Sequence, residues 1–432
     1  MVRKIGFVGL GKLGLPVSLA IEAKGYKVIG FDISPSIKKI LLEKKYPYQE
    51  KYVNNLLKKT KLEVHTLEKT ILETDIVFLA VQTPHNKKYE GITRIPNTRK
   101  DFDYNYLISS IKNIIKIIKK HKKKKIYLSI ISTVLPKTFD EKILPLIKPY
   151  RKNISISYNP FFIAMGTVID DFLNSEFILF GSDDFKSSQK FKKFYSTLNS
   201  SHFFSTTIQN AELIKVLYNT FISTKLAFIN NAMEICSKIP NTNIDVITNA
   251  LSLGNKRIIS NMYLKGGMGD GGSCHPRDNI ALSYLSNKLK NKFNFFDLIM
   301  KQRESSTEWL AELIKKHSKN KTIIILGRAF KANTNMTDGS PGILLINLLK
   351  EKKINCYSWD PYVDKIKYKE FLRKNNIVKN KKIYFIATAH TDFINFTFEN
   401  ECKVIDPWGM IKKNQVKNLI SIGRDINNEN IF

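Results

Sequence analysis

Lys4-Ile5-Gly6-Phe7-Val8-Gly9-Leu10-Gly11-Lys12-Leu13-Gly14 runs from an apolar stretch straight into a Gly-x-Gly-x-x-Gly turn. Residues 4–8 have the length and apolar density of a short buried strand, and Leu13 to Lys24 follows with a helical pattern. A second strand is expected from Tyr26 to Phe31, and it ends at Asp32, 18 residues beyond Gly14. Strand, glycine turn, helix and strand with a terminal acid make a dinucleotide-binding unit. The first glycine permits the tight turn, the second lets a pyrophosphate approach the backbone, and the third lets helix and strand pack closely. The start of the helix then faces the pyrophosphate. The carboxylate of Asp32 suits the adenosine ribose hydroxyls and repels a 2′-phosphate, which predicts NAD as cofactor rather than NADP.

Outward from this unit, β-branched apolar runs recur at Ile76–Val81, Ile126–Ile131 and Ile154–Ser157, with Phe177–Gly181 as a further candidate. Helical patterns such as Tyr104–Lys120 lie between them. That alternation predicts a doubly wound parallel sheet. From Ala211 through Cys236 an apolar helical pattern runs without Pro or Gly, which is long for one helix. Further helices are expected around Ile244–Leu253, Asp278–Leu289 and Phe295–Lys316. Strand patterns restart at Thr322–Leu326 and continue at Cys356–Trp359, Ile383–Ala387 and Val404–Ile405. The expected fold is α/β: two Rossmann-like, doubly wound parallel-sheet domains, residues 1–205 and 318–432, with a central helical region at 206–317.

Composition narrows the function classes. The 432 residues carry a formal net charge of +32, which raises nucleic acid as a partner. The charge is spread along the chain, however, and lysine outnumbers arginine about six to one, a bias that AT-rich coding explains without nucleic acid. No nucleic-acid partner is expected, although the positive field would attract an anionic nucleotide. Four scattered cysteines, Cys236, Cys274, Cys356 and Cys402, form no CxxC pair, so neither a disulfide framework nor a metal site is expected. No apolar run is long enough for a membrane helix. The basic, apolar N-terminus is better explained by its glycine turn than by a signal peptide, and a cytoplasmic location is expected.

Gly271-Gly272-Ser273-Cys274-His275-Pro276-Arg277-Asp278 is the second informative stretch. It sets a thiol in a glycine-rich loop beside Arg277, and positive charge favours the nucleophilic thiolate. A third cluster, Ala211-Glu212-Leu213-Ile214-Lys215 with Asn219, puts Lys215 and Asn219 four apart on one helical face. A dinucleotide site combined with a nucleophilic cysteine suggests a dehydrogenase working through a covalent thiol adduct.

With Val81-Gln82-Thr83-Pro84, Ser132-Thr133-Val134 and Ala329-Phe330-Lys331, these motifs follow the order and spacing of the UDP-glucose/GDP-mannose dehydrogenase family, and the resemblance spans nearly the whole chain. It implies two NAD-dependent oxidations of a nucleotide sugar at C6, a central dimerising region and a C-terminal nucleotide-binding domain. Carried over by position, Cys274 attacks the C6 aldehyde. Lys215 and Asp278 handle the proton of the first oxidation through a water, which Asn219 and Thr133 orient. Gly9, Gly11, Leu13, Gly14, Asp32, Thr83, Thr133 and Arg277 would contact NAD. Phe162, Ile163, Lys215, Asn219, Tyr263, Gly267, Gly271 and Lys331 would line the substrate site, and Arg257 would reach a neighbouring subunit's nucleotide. A homodimer, a UDP-sugar and no metal follow from the same resemblance.

The chain departs from the family pattern at several positions. Phe161 and Met165 replace two glutamates, Arg277 replaces a lysine, Asp270 stands where an aromatic is common, and Asp338 occupies an arginine position. The Gly-Gly-Ser-Cys order fits the glucose branch, so UDP-glucose to UDP-glucuronate, for surface polysaccharide, is the leading expectation. The alternatives are a UDP-N-acetylhexosamine or other nucleotide-sugar 6-dehydrogenase, and a catalytically weakened nucleotide-sugar-binding protein.

Overall fold

A computed structural model describes residues 4–84, 101–122, 124–260, 266–272 and 275–422. Its contacts divide the chain into two compact units, one essentially residues 1–222 and the other 223–429.

In the first unit, eight strands form one sheet: β1 (Lys4–Val8), β2 (Lys27–Phe31), β3 (Glu63–Val64), β4 (Ile76–Leu79), β5 (Ile126–Ile130), β6 (Ile154–Tyr158), β7 (Phe177–Gly181) and β8 (His202–Thr206). Their spatial order is β3-β2-β1-β4-β5-β6-β7-β8. All neighbours are parallel except β6 and β7, which meet antiparallel at Tyr158 and Gly181. Helices cover both faces of such a sheet, so its strands read as continuous apolar runs rather than alternating ones. Every residue of β4 is buried, and separate apolar cores fill the two faces, one around Phe7, Phe78 and Phe191, the other around Leu128, Ile114 and Phe139. The chain order reverses between β1 and β4. That is the switch point where a crevice opens at the carboxyl ends of the strands.

The second unit holds β9 (Thr322–Leu326), β10 (Cys356–Trp359), β11 (Lys382–Ile386), β12 (Lys403–Asp406) and β13 (Asn418–Ser421), all parallel in the order β10-β9-β11-β12-β13. Its switch point lies between β9 and β11. The helices Ile244–Ser252, His275–Lys288 and Phe295–Ser318 precede this sheet in the chain. The expected α/β class is what the structure has, with one mostly parallel and one fully parallel sheet and helices between them in sequence.

Local differences have physical reasons. The run from Ala211 belongs to one uninterrupted helix, Ile208–Cys236, of 29 residues. The helix expected from Asp278 begins at His275, directly after the cysteine loop in sequence. The strands β3, β8 and β13 went unread: β3 has only two residues, and all three lie at sheet edges, so their partners rather than their own pattern define them.

The start of the long helix is bonded to the turn after β5. The fully buried Glu212 carboxylate accepts the amides of Lys137 (3.0 Å) and Phe139 (2.9 Å). Burial raises the pKa of Glu212, and the two amides partly offset it. Removing the carboxylate strands two amides in the interior. Glu212→Ala should therefore cost about 2–4 kcal/mol of unfolding free energy in urea titrations, and Glu212→Gln, which keeps an acceptor, less than half of that.

Candidate functional site

The turn after β1 is set by sterics. Gly9 has φ +96°, and its N–H donates to the Phe31 carbonyl at 2.8 Å. A Cβ on Gly14 would lie 2.1 Å from the Gly9 carbonyl oxygen, so only glycine lets the helix Gly14–Ala23 come this close to the strand. Around the Cβ position of Gly11 there is nothing within 4 Å. Leu13 immediately precedes the helix, and its side chain packs on the apolar core. At the end of β2, the Asp32 carboxylate accepts the amides of Leu10 (2.6 Å) and Ser34 (2.7 Å), which aims it at the glycine turn and leaves lone pairs for hydroxyl donors.

A cavity of about 730 Å³ opens beside this turn, lined by Gly9, Gly11, Asp32, Tyr46, Tyr48 and Gln82 among others. Tyr46 donates to the Lys12 carbonyl at 3.2 Å, and the Lys12 ammonium lies 4.7 Å from the Tyr48 ring centre. An open backbone turn at a helix N-terminus, an oriented carboxylate and apolar walls fit a dinucleotide. Tyr46 and Tyr48 were not foreseen: they come from a loop whose sequence carries no nucleotide signature.

The ends of β4 and β5 come together next to this turn. Thr83 donates to the Thr133 carbonyl at 2.8 Å, and Ser132 donates to the Val81 carbonyl. On the long helix, Lys215 is 8% exposed. Its ammonium donates to the Phe161 carbonyl at 2.7 Å and lies 4.8 Å from the Phe162 ring centre. Burial lowers the pKa of Lys215, and no carboxylate pairs with it among the described residues. Ile163 packs on the same core as Phe161. The Phe161 ring lies in that core, 5.2 Å from Phe172 and 6.5 Å from Phe78, while only its carbonyl meets Lys215. Met165 is 59% exposed. Asn219 lies one turn after Lys215 on the helix and is exposed.

In the second unit, the glycine segment leading to Cys274 is packed against the loop after β9. The Gly272 amide donates to the Asp338 carbonyl at 3.0 Å. Gly272 has φ +90°, and a Cβ there would sit 3.0 Å from the Phe330 ring. Gly271 lies equally close to Pro341 and Phe330, and Gly267 lies against the Trp408 ring. Lys331 follows Phe330 and is exposed, its ammonium 5.4 Å from the Phe330 ring centre. Arg257 is exposed in the turn after the helix Ile244–Ser252. Cys274 and Tyr263 lie outside the described residues. Arg277 and Asp278 occupy the first turn of the helix His275–Lys288.

Arg303 was not foreseen. Its guanidinium donates to the Asp270 carbonyl (3.1 Å) and the Gly339 carbonyl (2.9 Å) and pairs with the Asp270 carboxylate at 3.0 Å. It clamps Asp270, in the segment before Gly271–Gly272, to the loop after β9, and nothing in its own neighbourhood in sequence signals that role. Burial raises the thiol pKa of Cys356, and that of Cys402 to about 11, which leaves both poor nucleophiles.

Three consecutive segments match one set of family models. Residues 3–199 match the UDP-glucose/GDP-mannose dehydrogenase family, NAD binding domain; 209–304 its central domain; and 324–416 its UDP binding domain. The first match identifies NAD as the cofactor. A UDP-glucose 6-dehydrogenase of Rickettsia conorii is 28% identical over 407 residues, covering 90% of each chain. UDP-glucose 6-dehydrogenase TuaD of Bacillus subtilis is 25% identical over 371 residues, 83% of this chain and 76% of that one. A crystal structure of a GDP-mannose dehydrogenase ternary complex from Pseudomonas aeruginosa shares the fold, with a TM-score of 0.84 over 96% of this chain and 99% of that one at 22% identity.

The geometry at Asp32 makes cofactor choice testable. NAD should be preferred over NADP by at least about tenfold in kcat/KM, or ~1.4 kcal/mol, and Asp32→Ser should erase most of that preference. Steady-state rates with both cofactors check this, and equal efficiency in the parent protein would remove Asp32 from the ribose.

Proposed function

This chain belongs to the UDP-glucose/GDP-mannose dehydrogenase family of NAD-dependent nucleotide-sugar 6-dehydrogenases, and from that premise we propose that it oxidises UDP-glucose to UDP-glucuronate. The observation that carries the reading is the pairing, within the second unit, of the glycine segment before Cys274 with the Phe330–Lys331 loop. It joins a segment bearing a nucleophile to one bearing a cation suited to phosphate. The Gly-Gly-Ser-Cys order and the relatives named UDP-glucose 6-dehydrogenase favour glucose as the sugar.

Bound NAD supplies the two-electron acceptor for each of the two oxidations. Lys215, whose amine gives up its proton more readily than an exposed lysine does, and Asp278 take the proton of the C6 hydroxyl through a water in the first oxidation. Asn219 and Thr133 orient that water and the reacting oxygen. The Cys274 sulfur then bonds to the aldehyde carbon, and the carbonyl oxygen takes a proton, giving a thiohemiacetal. The helix that begins at His275 follows Cys274 directly in the chain, and the positive end of a helix favours a thiolate next to it. Loss of the C6 hydrogen as hydride, taken up by the second NAD, together with loss of the hydroxyl proton leaves a thioester. Water adds to its carbonyl, the C–S bond breaks, and the carboxylate leaves while the thiol is restored. Lys215 also stabilises the oxyanions of these steps.

In this scheme Thr83, Thr133, Arg277, Asp32 and the Gly9–Gly14 turn hold the cofactor. Phe162, Ile163, Tyr263, Gly267, Gly271 and Lys331 hold the nucleotide sugar. Domain limits at 205 and 317, a cytoplasmic location and a homodimer belong to the same proposal. The homodimer is supported by Val246, Leu253, Ile258, Tyr284 and Trp309, each more than half exposed on residues 223–318. Arg257, in that region, would contact the neighbouring subunit's nucleotide.

NADH absorbance with a panel of UDP-glucose, UDP-N-acetylhexosamines and GDP-mannose tests the substrate. UDP-glucose should give the highest kcat/KM, with two NADH formed per sugar. Cys274→Ala should abolish acid formation and leave NAD affinity unchanged, whereas Cys356→Ala and Cys402→Ala should retain the chemistry.

The Phe161 ring is committed to the core, so it provides no carboxylate to position the hydrolytic water. Thioester hydrolysis should therefore be slower than the oxidations. Rapid mixing should show a burst of NADH before a slower steady rate, with a covalent mass increase on Cys274 during turnover. A linear trace with no adduct would mean that another group activates the water.

A further inference from the structure

The three loops at the carboxyl ends of β9, β10 and β11 are locked together by one completely buried histidine. His390, just after β11, and Asp360, just after β10, are both inaccessible to solvent. The Asn333 backbone amide, in the loop after β9, donates to His390 Nδ1 at 2.9 Å. That nitrogen must therefore carry a lone pair, which leaves the proton on Nε2, where it is donated to Asp360 Oδ2 at 3.1 Å. The same carboxylate accepts the amides of Arg328 (2.6 Å) and Ala329 (2.9 Å). The His390–Asp360 pair thus holds both ends of the segment 328–333, which carries Lys331.

Other contacts brace this lock. Thr388 donates to the Ala329 carbonyl at 2.7 Å, and Thr391 donates to the Asn333 side-chain oxygen from both its amide and its hydroxyl at 3.1 Å. Tyr362 stacks on the His390 ring with centroids 4.7 Å apart. Asn333 sits in the left-handed region at φ +57°, a conformation that needs such support. Burial alone would raise the Asp360 pKa, but His390 and the amides of Arg328, Ala329 and Tyr362 hold it well below the usual carboxylate range. It is thus a fixed anion around which the loop is built.

We propose that His390 is the positioning residue of the nucleotide subsite: its Nδ1 lone pair, by fixing the Asn333 amide, presets the Lys331 loop for a nucleoside diphosphate. This rests on the reading that the second unit holds the UDP part of the substrate. The pair matters because ordering a loop at the moment of binding costs affinity that a preset loop retains.

Two substitutions separate the two ring nitrogens. The Asn side-chain oxygen stands as many bonds from Cβ as Nδ1 does, so His390→Asn keeps an acceptor for the Asn333 amide and gives up the Asp360 contact. His390→Gln reaches Asp360 as Nε2 does and loses the acceptor. Both lose the ring that stacks on Tyr362. With UDP as the probe, calorimetry on the full chain should show His390→Gln binding about tenfold more weakly and His390→Asn within about twofold of the parent. NAD affinity should be unchanged in both. In the enzymatic assay, His390→Gln should raise KM for the nucleotide sugar and keep kcat at saturation. If the parent chain binds no UDP, the reading of the second unit falls, and this proposal with it. If the parent binds UDP but the Gln variant binds equally well, or the Asn variant is weakened as much as the Gln variant, His390 is merely structural and only this proposal is overturned. Should the Gln variant fail to fold, hydrogen–deuterium exchange of the parent decides. The segment 328–333 must already be protected without UDP, and exchange that slows only when UDP is added overturns the proposal.

Discussion

The tightest glycine packing among the described residues is the approach of the Gly14 backbone to the Gly9 carbonyl, where a Cβ would come within 2.1 Å. Because neither residue has a side chain, the first helix meets the strand at its turn, and the backbone from Gly9 to Lys12 lines the crevice. The rest of the first unit is arranged around that opening. Asp32 is drawn to the same turn by the Leu10 amide, and the Thr83–Thr133 and Ser132–Val81 bonds bring the ends of β4 and β5 beside it. The parallel run of β2, β1, β4 and β5 makes this possible, since these strands deliver their carboxyl ends to the same side.

The second sheet applies the same geometry with different chemistry. Instead of a glycine fingerprint, its switch point is built from a buried Asp360–His390 pair that holds the loop after β9 by its backbone amides. That loop supports the Gly271–Gly272 segment through Phe330 and the Asp338 carbonyl, and Arg303 clamps the two together. The position of the segment 270–272 therefore depends on polar groups remote from it in sequence. A buried, fully bonded network suits this task because its members have few alternative arrangements in a low-dielectric interior.

The replacements of family glutamates acquire a physical meaning here. Phe161 is part of the aromatic core under β4, and the chain turns its carbonyl toward Lys215. Lys215 is left with a neutral oxygen as its partner, and burial then favours its uncharged form. A lysine paired with a carboxylate would be held charged.

The sequence by itself determined the class of fold, the glycine turn and the acid at the end of β2 that bonds to it, because those signals are local. A strand's apolar run, a glycine turn and a helix pattern lie within thirty or so residues and need no partner to be read. The main strands from β1 to β12 followed from the same local signals, with ends shifted by a residue or two. What only the tertiary structure decided is everything held by side chains meeting across the fold: the edge strands, the tyrosines of the cofactor cavity, the Arg303 clamp and the His390–Asp360 lock. His390 and Asp360 stand 30 positions apart, and Arg303 stands 36 from Gly339. Each is an unremarkable residue in its own stretch of chain, and burial together with a bonded partner from another strand end gives it a role. Folding brings those partners together, and no periodicity in the chain encodes the meeting.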